Sequence, residues 1–256
     1  MNLRQKKLTI GIPNTLFSSY HLPFWRHLIT LIYAGDHFQQ QINHLRPYEV
    51  FSGTVDRKWL EIQALLENSN NIKQLKLAID KAEQIIAAIP VDKQREVLKV
   101  GLVGEIYLVM EGCSNNEIEI KLARLGVEVV RRQYISNWLN NFLFPPRRLL
   151  REAKTYLRHA VGGHEQENIS HILEFKKHNY DGVIHLLPFG CMPELVTQTI
   201  IPALITELDF PILSLSLDEQ MGWINNQIRF EAFVELLRTR RRLLKEENDA
   251  KAVCRG

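Results

Sequence analysis

Cysteine is scarce in this chain, with three in 256 residues at Cys113, Cys191 and Cys254. So few, and an odd number, argue against a framework of disulfides and leave free thiols, a metal site or redox chemistry as uses for the sulfur. An excess of either charge is also missing. Lys and Arg number 32 against 29 Asp and Glu, a formal charge of +3, which describes a mixed solvated surface better than a nucleic-acid footprint. No apolar run reaches membrane length. After the basic start MNLRQKK only LTIGI precedes Pro13, too little for the apolar region of a signal peptide. A cytoplasmic protein with neither a nucleic-acid nor a membrane partner is expected. Walker, Rossmann-glycine and zinc-ribbon patterns are absent as well.

What is present is ordinary globular material, 45% hydrophobic and long enough for a sizeable core in one or two domains. Leu8 to Ile12 is a short apolar run ended by Pro13 and Asn14 and reads as a strand; Pro23 to Tyr33 has the apolar density of a buried helix. From Asp56 to Ile89 apolar residues recur at helical spacing, interrupted by Asn68 to Asn71, which predicts two helices joined by a turn. The rhythm then becomes strand, joint, helix, repeated. Strands are predicted at Lys99 to Leu108, Val127 to Val130, Val183 to Leu187 and Ile212 to Leu217, without the alternation of a half-exposed sheet, as for parallel strands covered on both faces. Ser114 and Glu117 form a Ser-x-x-Glu box for one intervening helix, and Ser136 is placed to cap the next, which ends before Pro145 and Pro146. Phe230, Phe233, Val234 and Leu237 mark the core face of the last. The expected fold is α/β, an open, doubly wound parallel sheet over residues 95–256, preceded in 1–94 by a reduced strand–helix unit and a helical connector.

Ligands of such sheets bind at the carboxyl ends of the strands, at the switch point where neighbouring connections leave toward opposite faces. Cys191, in HLLPFGCMPELV, falls at such an end. Pro193 suits the first turn of a helix, so the thiol stands just before a helix start, where the dipole favours a thiolate. Two readings remain open: a metal-ligating or reactive sulfur, or a small hydrophobe filling a joint. Cys113 likewise follows a glycine at a strand-to-helix joint. If the first and third strands are neighbours, both sulfurs come to one edge of the sheet.

Three stretches carry a family resemblance: VGLVGEIYLVMEGCSNNEIEIKLARLGVEVV (100–130), YDGVIHLLPFGCMPELV (180–196), and FPILSLSLDEQMG (210–222) followed by RFEAFVELL (229–237). They resemble the C-terminal motifs of the 2-hydroxyacyl-CoA dehydratase superfamily, in particular its branch related to the acyl-CoA dehydratase activase. LTIGIPNTLFSSYHLPFWRHLI (8–29) resembles that branch's opening strand and helix. The resemblance implies a flavodoxin-like fold, a four-iron four-sulfur cluster held by cysteines, and a partner, either an ATP-dependent activase or a dehydratase subunit, or a second copy, with acyl-CoA as the substrate class. Cys191 carries over as a cluster ligand, with Cys113 a second candidate on the placement given above. Gly104, with Gly190 beside Cys191, is then a cofactor-binding position, and Glu105, Asp218 and Glu219 are motif carboxylates available for acid–base work. Departures are plain: no cysteine precedes Cys113, the span from Gly35 to Lys99 is too short and polar for the family's usual first α/β core, and MGWINNQ replaces a glycine segment after LDE.

His164, His171, His178 and His185 recur every seven residues, but successive members on a helix stand about 10 Å apart. A solvated helix face is expected instead. RTRRRLLKEE (238–247) and PPRRLLREAK (145–154) are expected as charged, exposed helix ends rather than phosphate or CoA sites. The expectation is an iron–sulfur-linked component of a dehydratase/activase-type system, concerned with electron transfer. The alternatives are a degenerate, cluster-free interaction or regulatory subunit and a flavodoxin-like small-molecule binder.

Overall fold

The computed structural model describes residues 22–144, 147–217 and 223–253. The predicted strand at Leu8 to Ile12, the carboxylates Asp218 and Glu219, Cys254 and the Pro145–Pro146 pair lie outside these residues. Three helices come first: α1 (Leu22–Leu45), α2 (Thr54–Glu67) and α3 (Ile72–Ala87), with a 3-10 turn at Arg46–Tyr48. The two-helix reading of 56–89 holds, and its turn has a clear cause. Asn71 takes an extended conformation and its side chain accepts from the amides of Lys73 and Gln74, starting α3. Phe38, Ile42, Val55, Ile62, Leu75 and Ala82 form an apolar core within this helical unit.

The remainder is a four-stranded, all-parallel sheet. Its strands are β1 (Leu98–Gly104), β2 (Val127–Arg131), β3 (Gly182–Pro188) and β4 (Ile212–Leu217), in the spatial order β2-β1-β3-β4. This is the flavodoxin-like arrangement, and β1 and β3 are adjacent with the switch point between them. The helices are α4 (Ile106–Met110), α5 (Ile118–Arg124), α6 (Ile135–Leu143), α7 (Arg147–Ala153), α8 (Glu165–Lys177), α9 (Met192–Leu208) and α10 (Trp223–Val253). Both faces are covered, which is why β1 and β3 read as continuous apolar runs. Leu102, Ile184 and Leu186 pack with Ile118 and Leu122 of α5 and with Phe230, Phe233, Val234 and Leu237 of α10. On the other face Val103 and Val183 meet Ile172 and Phe175 of α8 and Ile201 and Leu204 of α9. No helix among the described residues is long and apolar enough to cross a membrane.

Several local expectations are corrected. β1 stops at Gly104 rather than Leu108, because Glu105 turns the chain and its carboxylate accepts from the amides of Tyr107 and Leu108, starting α4. The Ser114–Glu117 box does not form. Glu117 is in the left-handed region at φ 56°, and it is Asn115 whose side chain accepts from the Ile118 amide at 3.2 Å while donating to the Leu108 carbonyl at 2.7 Å. Ser136 does not cap α6: its own N–H donates to Asp36 of α1 at 2.7 Å, so a carboxylate from the helical unit closes this helix start. His185 lies in β3, where the predicted strand puts it, but His171 is buried in α8 rather than on a solvated face. The arginine run is more than an exposed end. Arg241 chelates Asp181 and reaches the Val97 carbonyl, and Arg238 donates to the Leu125 carbonyl at 2.6 Å, pinning α10 beneath the sheet.

Candidate functional site at the C-terminal edge of the sheet

Gly104 ends β1 at φ +144°, and a Cβ there would stand 2.0 Å from the Leu186 carbonyl oxygen. Only glycine lets the two central strands approach so closely at the switch point. Glu105 then donates its N–H to the same carbonyl at 3.0 Å while its side chain caps α4. Gly104 and Glu105, expected as a cofactor position and a catalytic carboxylate, together build the turn that ends β1 and starts α4.

At the end of β3, Phe189 and Gly190 make a tight turn, with Gly190 at φ +79° and open space where a side chain would be. Cys191 is the N-cap of α9, and Pro193 occupies its first turn. This is the placement the sequence predicts. The α9 start has no side-chain cap, unlike α4, closed by Glu105, and α6, closed by Asp36. Cys191 is half-buried, and its neighbours Phe189 and Met192 are among the most exposed large apolar side chains, Phe189 at 83%.

Cys113 differs. It is exposed, and α4 stands between it and β1, so it sits in a turn between two helices rather than at a strand-to-helix joint; its N–H donates to the Glu111 carboxylate at 3.2 Å. The two cysteines do lie on connections leaving neighbouring strands. Among the described residues, however, no three His, Cys, Asp or Glu side chains converge as metal ligands. A cubane cluster takes four. Cys113 and Cys191 do not fit such a group by themselves.

Beneath the Cys191 turn lies a polar network that sequence reasoning missed. Asn168 of α8 is fully buried, and its Nδ2 lies 2.9 Å from both carboxylate oxygens of Glu194 in the first turn of α9. Glu194 Oε2 is also 2.8 Å from His185 Nε2, and His185 Nδ1 is 3.0 Å from Ser214 Oγ on β4. Toward β2, Gln133 donates to the Gly104 carbonyl at 2.8 Å and to Asn168 Oδ1 at 3.1 Å, and Asn168 Oδ1 accepts from the Gly104 amide at 3.2 Å. One connected set thus ties the carboxyl end of β1 and the segment after β2 to the middles of β3 and β4 and to α8 and α9. His185 has no solvent exposure and Glu194 has 1%, so this set lies beneath the surface and braces the turn above it. Glu194 falls within the PFGCMPE stretch and was open to notice; Asn168 and Gln133 carry no sequence signal.

No family model matches the chain, and no curated protein matches it either. The resemblance to the dehydratase superfamily rests on the motif residues alone.

Proposed function

We propose that this chain is a non-catalytic α/β subunit of a 2-hydroxyacyl-CoA dehydratase/activase-type system, and that it engages its partner through the C-terminal edge of the sheet around Cys191. The observation that carries this reading is the α9 start: its amides have no side-chain cap, the half-buried Cys191 stands at its head, and exposed Phe189 and Met192 flank it. A helix start left open and ringed by apolar side chains suits an interface better than a solvated loop. The cluster-free form of the proposal follows from the ligand count. The two described cysteines and the absence of any three-ligand group among the described residues leave a cubane without a complete donor set here.

A second reading keeps the cluster, with Cys113 and Cys191 as two ligands and the remainder from the partner, the chain then serving electron transfer. It draws support from both thiols being free and lying on connections from adjacent strands. Anaerobic reconstitution with iron and sulfide separates the two. In the first reading iron and acid-labile sulfide stay at background for the chain alone and for its complex with a dehydratase or activase subunit, while Phe189→Ser weakens the complex. A cluster formed only in the complex and lost in Cys191→Ser establishes the second. Complex formation indifferent to Phe189→Ser and to Cys191→Ser overturns the proposed edge.

A further inference from the structure

Two adjoining clefts lie at the opposite edge, under the amino ends of β1 and β2. One, of about 400 Å³, runs between the Glu96–Leu98 segment, Gly126 and α10; another, of about 450 Å³, continues from it past Arg95 and Arg124 toward the 3-10 turn. They share Glu96, Gly126 and Arg238 and form one groove at the junction of the helical unit and the sheet. Cations outnumber carboxylates along it, in a chain whose overall charge is nearly balanced.

The pairing of these cations decides what the groove can do. Arg241 is committed to Asp181, and Lys245 to Glu96. Arg238 and Arg95 are held by backbone carbonyls, of Leu125 at 2.6 Å and of Pro47 at 3.0 Å, which fix the guanidinium without cancelling its charge. Glu235, the carboxylate nearest Arg238, is 3.6 Å away and exposed. Arg124 and Arg242 are exposed and make no ion pair among the described residues. The groove therefore presents two guanidinium groups held by backbone carbonyls, that of Arg238 with Glu235 beside it, and two exposed ones, of Arg124 and Arg242, whose charge no ion pair offsets among the described residues. Planar forks of this kind match phosphate oxygens two at a time. The lining contains no aromatic ring on which a base could stack.

We infer that this groove is a binding site for a multiply charged phosphate chain, recognised by Arg95, Arg124, Arg238 and Arg242. The volume suits a small ligand. The same phosphate chemistry reaches the site as a free polyphosphate or as the triphosphate of a nucleotide, and the missing aromatic favours contact with the phosphates alone.

The test is calorimetric titration of the full chain with tripolyphosphate, ATP and sulfate at matched ionic strength. Tripolyphosphate binds and sulfate does not; equal affinity for ATP identifies the nucleotide as an admissible source, and weaker ATP binding identifies the free chain. The double variant Arg124→Glu, Arg242→Glu touches two exposed, unpaired side chains, so the fold is retained and circular dichroism verifies it. Binding falls by more than about tenfold, since two charge-assisted contacts are lost. The charge-matched control Lys73→Glu, Lys81→Glu, on the exposed surface of α3, changes it by less than about twofold. Tripolyphosphate binding no stronger than that of sulfate, or equal losses in the two double variants, overturns the inference.

Discussion

His185 Nε2 lies 2.8 Å from Glu194 Oε2, with both side chains sealed from solvent beneath the Cys191 turn. Because the pair is buried and further bonded to Asn168 and Ser214, removing one partner strands the other without water. Glu194→Ala is expected to lower stability by about 3–5 kcal/mol, measured by urea unfolding. His185→Ala on top of it should add less than it does alone, and the double-mutant cycle reads the coupling. Additive losses would mean that the two side chains act independently.

Two glycines of the same edge should behave differently although the sequence marks both as cofactor positions. At Gly104 an alanine Cβ meets the Leu186 carbonyl at 2.0 Å, and at Gly190 it meets nothing, leaving only the left-handed φ of +79°. Gly190→Ala should cost about 1–2 kcal/mol from backbone strain. Gly104→Ala should cost more than about 4 kcal/mol or prevent folding, since one of the central strands must move. Thermal unfolding of both variants checks the order.

Much of this fold was legible because its signals are local. The β4 boundaries agree with the sequence reading, β2 and β3 differ only by a terminal residue or so, and Phe230, Phe233, Val234 and Leu237 do face the core. The adjacency of β1 and β3 is what a flavodoxin-like order requires once the strands are placed, and the sheet has it. Misreadings arose where a distant group does the local work. Asp36 closes α6 from a hundred residues away, and Asn115 replaces the Ser114–Glu117 box because Leu108 offers it a second bond. At the site, Cys191 was visible through Pro193 and the apolar run before it. The Asn168–Glu194–His185 set was not, since an asparagine near the start of an amphipathic helix looks like a surface residue until the sheet is assembled.

The joint between the helical unit and the sheet carries a titrating histidine. His44 Nδ1 is 2.8 Å from Glu128 Oε1, Lys99 Nζ is 3.5 Å from the other carboxylate oxygen, and the Tyr48 ring lies against the imidazole. The hydrogen bond to Glu128 raises the His44 pKa above its ordinary 6.5, with partial burial and Lys99 opposing. A pKa raised in the folded state means the contribution is fully present below pH 6.5 and fades as pH climbs through the folded value. Its size should stay under about 1 kcal/mol because His44 is half exposed. Urea midpoints of the native chain and Glu128→Gln, compared between pH 5.5 and 8.5, should converge toward the alkaline end; a constant gap removes His44 from the account. On the acid side Glu167 and Glu174, held below the usual carboxylate range by hydrogen bonds from His164 and His171, lose their contribution only as pH falls below 4.5.

Asn43 is the other hinge of that joint. It is buried in α1, donates to Glu119 of α5 at 2.7 Å, and accepts from Arg46. Glu119 is otherwise 3.6 Å from Arg131, whose guanidinium is engaged with the Val109 carbonyl at 2.6 Å and lies over the Tyr134 ring. Asn43→Ala therefore leaves a buried carboxylate short of its best donor, at an expected cost of about 2–3 kcal/mol. The core of the helical unit does not include Asn43 and the sheet has its own two apolar layers, so the damage should appear as undocking rather than global melting. Hydrogen exchange should rise across α1 to α3 while the β1 and β3 amides keep their protection. If protection falls to the same extent in both units, the helices and the sheet unfold as one body, and the Asn43–Glu119 contact is not the joint between them.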